Sequence, residues 1–156
     1  MYQGRFLSIG VGVIFFVLSV SSHLFAQEDV INKRKSIMGA NSKATKAIQE
    51  AVKEKDYATV EVKAKEIMGN LDAVLSLFPK GSTSEKSRAH PDIWAKPDEF
   101  KNRAATARKA AEALSKAAAA KNDAEVNVKV KELGGVREGA CGDCHKDFRA
   151  DFRKDS

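Results

Sequence analysis

The chain has 156 residues, a formal net charge of +6 and two cysteines. Its size supports one domain around a single core rather than two. The positive excess is interspersed with carboxylates and lacks the dense basic stripe with interleaved aromatics that nucleic-acid binding requires. No acid, base and nucleophile gather in the sequence as an enzyme would need, so a carrier or binding protein is the expectation.

The first 26 residues read as a secretory leader. MYQGR supplies a short basic start, FLSIGVGVIFFVLSV is an uncharged apolar run of 15 residues, and SSHLFA ends on a small residue before the acidic QED. This layout predicts a signal peptide over residues 1–26, cleaved after Ala26. The rival, an uncleaved anchor, needs about 20 apolar residues, which this run does not reach. Cleavage leaves residues 27–156 as one domain, with His90 and His145 as its histidines. No stable membrane insertion is expected of it.

A first helix is predicted from about Glu28 to Lys53, where Val30, Ile31, Ile37, Met38, Ala44, Ala47, Ile48 and Val52 recur at helical spacing. Asp56 is the candidate N-cap of a second helix, whose stripe runs Tyr57, Val60, Ala64, Ile67, Met68, Leu71, Val74, Leu75, Phe78 until Pro79 stops it. The connection PKGSTSEKSRAHPDIWAK is too polar for a core; its PDIW is predicted to form one turn that sets Ile93 and Trp94 on the domain. Pro97 opens a third helix with a small-residue face of Phe100, Ala104, Ala107, Ala111, Leu114 and Ala118. Asn122 or Asp123 caps a fourth, running through Val126, Val130, Leu133, Val136, Ala140, Cys144, Phe148 and Phe152, with Gly134 and Gly135 as a break or kink. Nothing alternates with period two. The expectation is therefore all-α, an antiparallel four-helix bundle with two short loops and one long one.

Near the end of the chain stands GACGDCHKDFR, in which Cys141, Cys144 and His145 form an i, i+3, i+4 set on one side of a helix. Four chemistries compete for it. A thioredoxin-like dithiol wants a βαβ setting and has no need of the histidine; zinc wants about four ligands, and only His90 is left to add. A disulfide between residues three apart closes almost no loop. C-x-x-C-H is also the attachment pattern of haem c, in which both thiols bond the vinyl groups and the imidazole binds iron, and this reading alone uses all three residues.

Together with this motif, Arg34-x-x-x-Met38 early in the first helix and the Ile93-Trp94 pair followed by Phe100 resemble the cytochrome c prime superfamily, the class II c-type cytochromes. The resemblance implies a left-handed four-helix bundle, a bacterial periplasmic location, one covalent haem c on Cys141 and Cys144, and His145 as proximal iron ligand. It implies Met38 on the distal face, which as a ligand gives a low-spin electron carrier of the Met-ligated branch; the alternative is a five-coordinate cytochrome that binds nitric oxide or carbon monoxide. It also places Arg34 and Arg149 beside the haem, as propionate partners or as plain surface charges. Met68 is the reserve ligand, in a core stripe, and His90 is read as a solvent-exposed loop residue. Redox partner proteins are implied without being identified, as is either a monomer or a homodimer. Glu138 departs from the family, in which a glycine often stands three residues before the first cysteine.

Overall fold

The computed structural model describes the backbone of residues 10–152 and the side chains of residues 27–151. Helix α1 spans Gly10–Glu54, α2 Tyr57–Val74, α3 Asp92–Ala95, α4 Pro97–Ala119, α5 Asp123–Leu133 and α6 Gly139–Phe148. Among these residues no strand forms; an isolated bridge pairs Ala89 with Arg149. The long helices make a four-helix bundle, with α5 and α6 together as the fourth member. α2 and α4 share the most extensive packing, α1 lies along α2, α5 lies along α4, and α5 touches α1 to close the ring.

The helix starts and stops follow from local chemistry. Asp56 accepts a hydrogen bond from the Thr59 N–H and Asn122 accepts one from the Glu125 N–H, each side chain satisfying a donor of the turn it opens. One residue earlier, Lys55 and Lys121 adopt positive φ, 57° and 52°. Asp56 N–H then reaches back to Ala51 O and Asn122 N–H to Ala117 O, so both short loops use the same left-handed cap followed at once by an N-cap. Pro97 occupies the first turn of α4, as expected.

Two sequence expectations need correction, and one is met. Helix α1 begins at Gly10, well ahead of Glu28, because the apolar run before Ala26 is itself helical and continues into the bundle helix; the side chains of the leader lie outside the described residues. The break expected at Gly134 and Gly135 divides the fourth helix in two over residues 134–138. That helix ends at Phe148: Arg149 is extended (φ −120°, ψ 122°), a short 3-10 turn spans Ala150–Phe152, and the Phe152 side chain lies outside the described residues.

The core is built from modest side chains. Ile48, Ile67, Leu114, Leu133, Val60, Val74 and Val126 are its largest fully buried members. Ala104, Ala107, Ala111, Ala117 and Ala118 bury the inner face of α4, so this small-residue face lets α2 and α5 approach closely. A second cluster of Ile93, Phe100 and Phe148, joined by Phe78, Trp94 and Cys144, fills the end of the bundle under α3.

The polar connection between α2 and α4 is a strap. At one end the Gln27 amide donates to Thr83 O (2.5 Å), Glu28 pairs with Lys86 (2.7 Å), and the Arg34 guanidinium donates to Ser82 O. At the other, His90 N–H donates to Phe148 O (3.0 Å) and Ala150 N–H to Arg88 O (2.9 Å). The strap thus ties α1 to the end of α6.

Candidate functional site

The break before α6 shapes the motif-bearing helix. Gly134 has φ 65°, and a Cβ there would lie 2.0 Å from Glu138 O; a Cβ on Gly142 would lie 2.3 Å from the Arg137 carbonyl carbon. Only glycine fits either place. The fold-back is held by Glu138 O, which accepts from Gly135 N–H (3.1 Å) and Gly142 N–H (3.0 Å), while Glu138 itself is the extended residue before α6. Glu138 therefore joins the turn through its backbone, and its side chain provides no cap.

The fold-back also positions His145. Its Nδ1 lies 3.2 Å from Val136 O, and since a carbonyl only accepts, Nδ1 carries the proton of this bond. Nε2 is then the lone-pair nitrogen of the neutral ring. Burial pushes the His145 pKa down and so favours that neutral form, with the Val136 bond opposing it. No sequence pattern marks Val136 as the partner, because the interacting group is its backbone carbonyl.

Cys141 and Cys144 are both half-buried thiols, Cys141 against the main core and Cys144 against the aromatic cluster. Burial raises their pKa values to about 11 and about 12. Reactive dithiols and zinc thiolates need the opposite shift, supplied by nearby cations, a helix N-terminus or the metal. The aromatic wall beside Cys144 is edge-to-face throughout: Phe78 to Phe100 at 4.9 Å and Phe100 to Phe148 at 5.3 Å. Trp94 is fixed there by its indole N–H, which donates to Pro79 O at 2.9 Å. Phe78 and Phe100 were legible in the sequence as stripe members, but not as a wall beside the motif.

Across the bundle, Arg34 is a buried cation, only 5% exposed. Its guanidinium stacks 4.5 Å from the centre of the Phe78 ring and donates to Ser82 O; Nε and Nη1 find no hydrogen-bond partner among the described residues. Such a cation is costly without an anion, so these N–H groups suit a carboxylate ligand brought from outside the polypeptide. The reading of Arg34 as a surface charge is thereby overturned. Met38, one turn on, is half-buried and packs on the same core cluster as Cys141. Met68 on α2 packs there too.

Arg149 is engaged by Asp151 through two bonds, 2.7 Å and 2.9 Å, and its N–H closes α6 on His145 O. His90 corrects an expectation. Its side chain is only 20% exposed, with Nδ1 3.2 Å from the Asp92 N–H at the start of α3, so it serves the strap rather than standing in solvent.

α1 runs antiparallel to the fourth member. Lys55 pairs with Asp123 at 3.9 Å, Tyr57 Oη donates to Asp123 at 2.8 Å, and a Cβ on Gly135 would sit 4.0 Å from Thr45 Cγ2. α1 packs on α2 and α5, without comparable packing on α6.

Comparisons with known proteins agree with this arrangement. Residues 29–149 match the sequence model of the family described as Cytochrome C'. The chain is similar to the cytochrome c' of Pararhodospirillum photometricum, 31% identical over 125 residues covering 78% of this chain and 97% of that one. It is similar also to a cytochrome c-554 of Cereibacter sphaeroides, 39% identical over 97 residues, 59% of this chain and 60% of the relative. Among solved structures, a variant cytochrome c prime from Alcaligenes xylosoxidans in its nitric oxide complex superposes with a TM-score of 0.69 at 21% identity, covering 79% of this chain and 95% of that one.

Proposed function

Because the chain belongs to the cytochrome c' family, whose members carry one covalently attached haem c, we propose that it is an exported electron carrier with Cys141 and Cys144 bonded to the haem, His145 as one axial ligand and Met38 as the other. When bound, haem c supplies an iron centre that accepts and returns one electron. The Val136 carbonyl holds the imidazole of His145 and fixes its tautomer, leaving Nε2 as the nitrogen that would bind the iron. The Nε and Nη1 groups of Arg34 suit a haem propionate, and the Phe78, Phe100 and Phe148 wall offers an apolar surface beside Cys144.

The observation that carries the Met38 assignment is its packing: Met38 lies one turn after the buried Arg34 on α1, and Met38 and Cys141 pack against the same core cluster. A thioether ligand raises the reduction potential and closes the second face of the iron, which suits electron transfer.

A second reading is favoured by the similarity to a cytochrome c prime solved with nitric oxide. In it Met38 only fills space, the iron is five-coordinate, and the protein binds small gases. Carbon monoxide added to the reduced holoprotein separates the two. Slow or substoichiometric uptake is expected of the carrier; rapid stoichiometric binding contradicts it.

The leader supports export to the periplasm with cleavage after Ala26. No helix among the described residues is long and apolar enough to cross a membrane. The intact mass of periplasmic protein should equal residues 27–156 plus one haem; a mass retaining residues 1–26, or one lacking the haem, contradicts this reading.

A further inference from the structure

A pocket of about 260 Å³ opens where the end of α2, the short α3 and the start of α4 meet. Ile93 and Phe100 are the buried part of its lining, and Phe78 and Trp94 add aromatic surface. These walls are held in place. Phe78 meets Phe100 edge to face at 4.9 Å, and the Trp94 indole N–H donates to Pro79 O at 2.9 Å, which leaves that ring no polar group to offer a ligand. Leu75 completes the apolar lining. Its spacing puts it on the inward stripe of the second helix, whereas α2 ends at Val74 and the 3-10 turn Leu75–Leu77 leaves it 38% exposed. Among the described residues, the two charged side chains of the lining are both cations, Lys80 and Lys101. Lys101 pairs with the exposed Asp98 at 3.5 Å, and no described carboxylate lies within ion-pair distance of Lys80.

The geometry points to a binding site for a small aromatic carboxylate, a molecule of one or two fused rings whose flat body lies among Leu75, Phe78, Trp94 and Phe100 and whose anionic group meets Lys80 and Lys101. Aromatic walls select a ring, through offset or edge-to-face packing. Two cations in a lining without a carboxylate select an anion. The volume falls a little below the range of about 300–1,000 Å³ usual for ligand clefts, which keeps the occupant small. A helix from a partner protein needs instead a groove that runs along several of its turns. No residue assigned to the haem, whether Arg34, Met38, Cys141, Cys144 or His145, lines the pocket. Phe100 nevertheless belongs to the cluster on which Cys144 packs, so an occupant rests on the same aromatic wall as the motif. The site goes beyond the electron-carrier reading, and its occupancy does not depend on the axial ligand, so the two claims fail separately.

The test is calorimetric titration of the oxidised holoprotein with 2-naphthoate, and with 2-naphthalenemethanol as its uncharged counterpart. Saturable one-to-one binding of the acid is expected, with the alcohol weaker by about fivefold or more. Substituting Lys80→Gln and Lys101→Gln together is expected to weaken the acid about fivefold and to leave the alcohol within about twofold. The charge-matched change Lys109→Gln and Lys121→Gln is expected to alter either by less than about twofold. Leu75→Glu, which sets a carboxylate in the lining at an exposed position, is expected to weaken the acid about tenfold or more. Far-UV circular dichroism and haem absorbance identify the variants that fold, and the lysine pair decides the matter if Leu75→Glu does not. No saturable binding by the wild type would overturn the proposal, as would equal losses in the two lysine pairs or an alcohol that binds as tightly as the acid. So would a shift of the Soret band on adding 2-naphthoate, which would put the probe at the haem instead of in the pocket.

Discussion

Arg34 shows how much a single position settles. It stands between Ile31 and Met38 at inward helical spacing, yet a charged side chain left the sequence open between a propionate partner and a surface charge, and the structure buries it. What the sequence did not supply was its partners, the Phe78 ring and Ser82 O, which arrive from 44 and 48 residues away. Replacing it by methionine keeps the volume but leaves the buried Ser82 carbonyl unsatisfied. Arg34→Met should therefore destabilise the holoprotein by about 2–4 kcal/mol in chemical denaturation, and Arg34→Lys should not restore it, because an ammonium group lacks the planar stacking face. An unchanged midpoint for Arg34→Met would contradict this role. Asp56 gives a pH signature at the same scale. Its hydrogen bonds from the Thr59 side chain and backbone hold its carboxyl below the ordinary value of 3.8. A depressed folded pKa means that the stabilisation is present above 3.8 and is lost as pH falls through the folded value. Asp56→Asn keeps a capping side chain and should flatten acid unfolding in that window; an unaltered acid profile would show that the cap is energetically silent.

At the scale of elements, the sequence resolved what obeys local rules, the Asp56 and Asn122 caps and the Pro97 start, whereas the second helix gives way to a 3-10 turn at Leu75–Leu77 ahead of Pro79. The sequence marked the break in the fourth helix at Gly134 and Gly135 but not its extent, because Val126, Val130, Leu133, Val136, Ala140, Cys144 and Phe148 keep helical spacing straight through residues 134–138, where the backbone departs from it. Val136 betrays the break, at 45% exposure in the middle of an apparently inward stripe. The contacts that hold the fold-back, such as that of Gly142 with the Arg137 backbone, run through backbone atoms of the turn itself and leave no periodic trace. Gly142→Ala should force the fold-back open, lowering holoprotein stability by at least about 2 kcal/mol and disturbing the Val136–His145 bond. Gly69→Ala, at an exposed helical site where a Cβ meets nothing within 4 Å, should instead add up to about 1 kcal/mol. Thermal unfolding of both variants checks the contrast. If Gly142→Ala is as benign as Gly69→Ala, the break does not need its glycine.

For the molecule as a whole, the motif residues Cys141, Cys144 and His145 were legible from spacing alone, while their setting depended on assembly. The long polar connection read as a mere linker, yet it joins α1 to the end of α6 through Gln27, Glu28 and Arg34 on one side and Phe148 and Ala150 on the other. That strap ties the stretch of α1 that carries Arg34 to the end of the helix that carries the motif. The central claim, that Met38 ligates the iron and makes the protein an electron carrier, is tested most directly by the optical and magnetic circular dichroism spectra of oxidised holoprotein and of its Met38→Ala variant. The account predicts low-spin iron in the wild type, with a sulfur-to-iron charge-transfer band that disappears in the variant. A high-spin wild type, or a low-spin spectrum that Met38→Ala leaves unchanged, would contradict it.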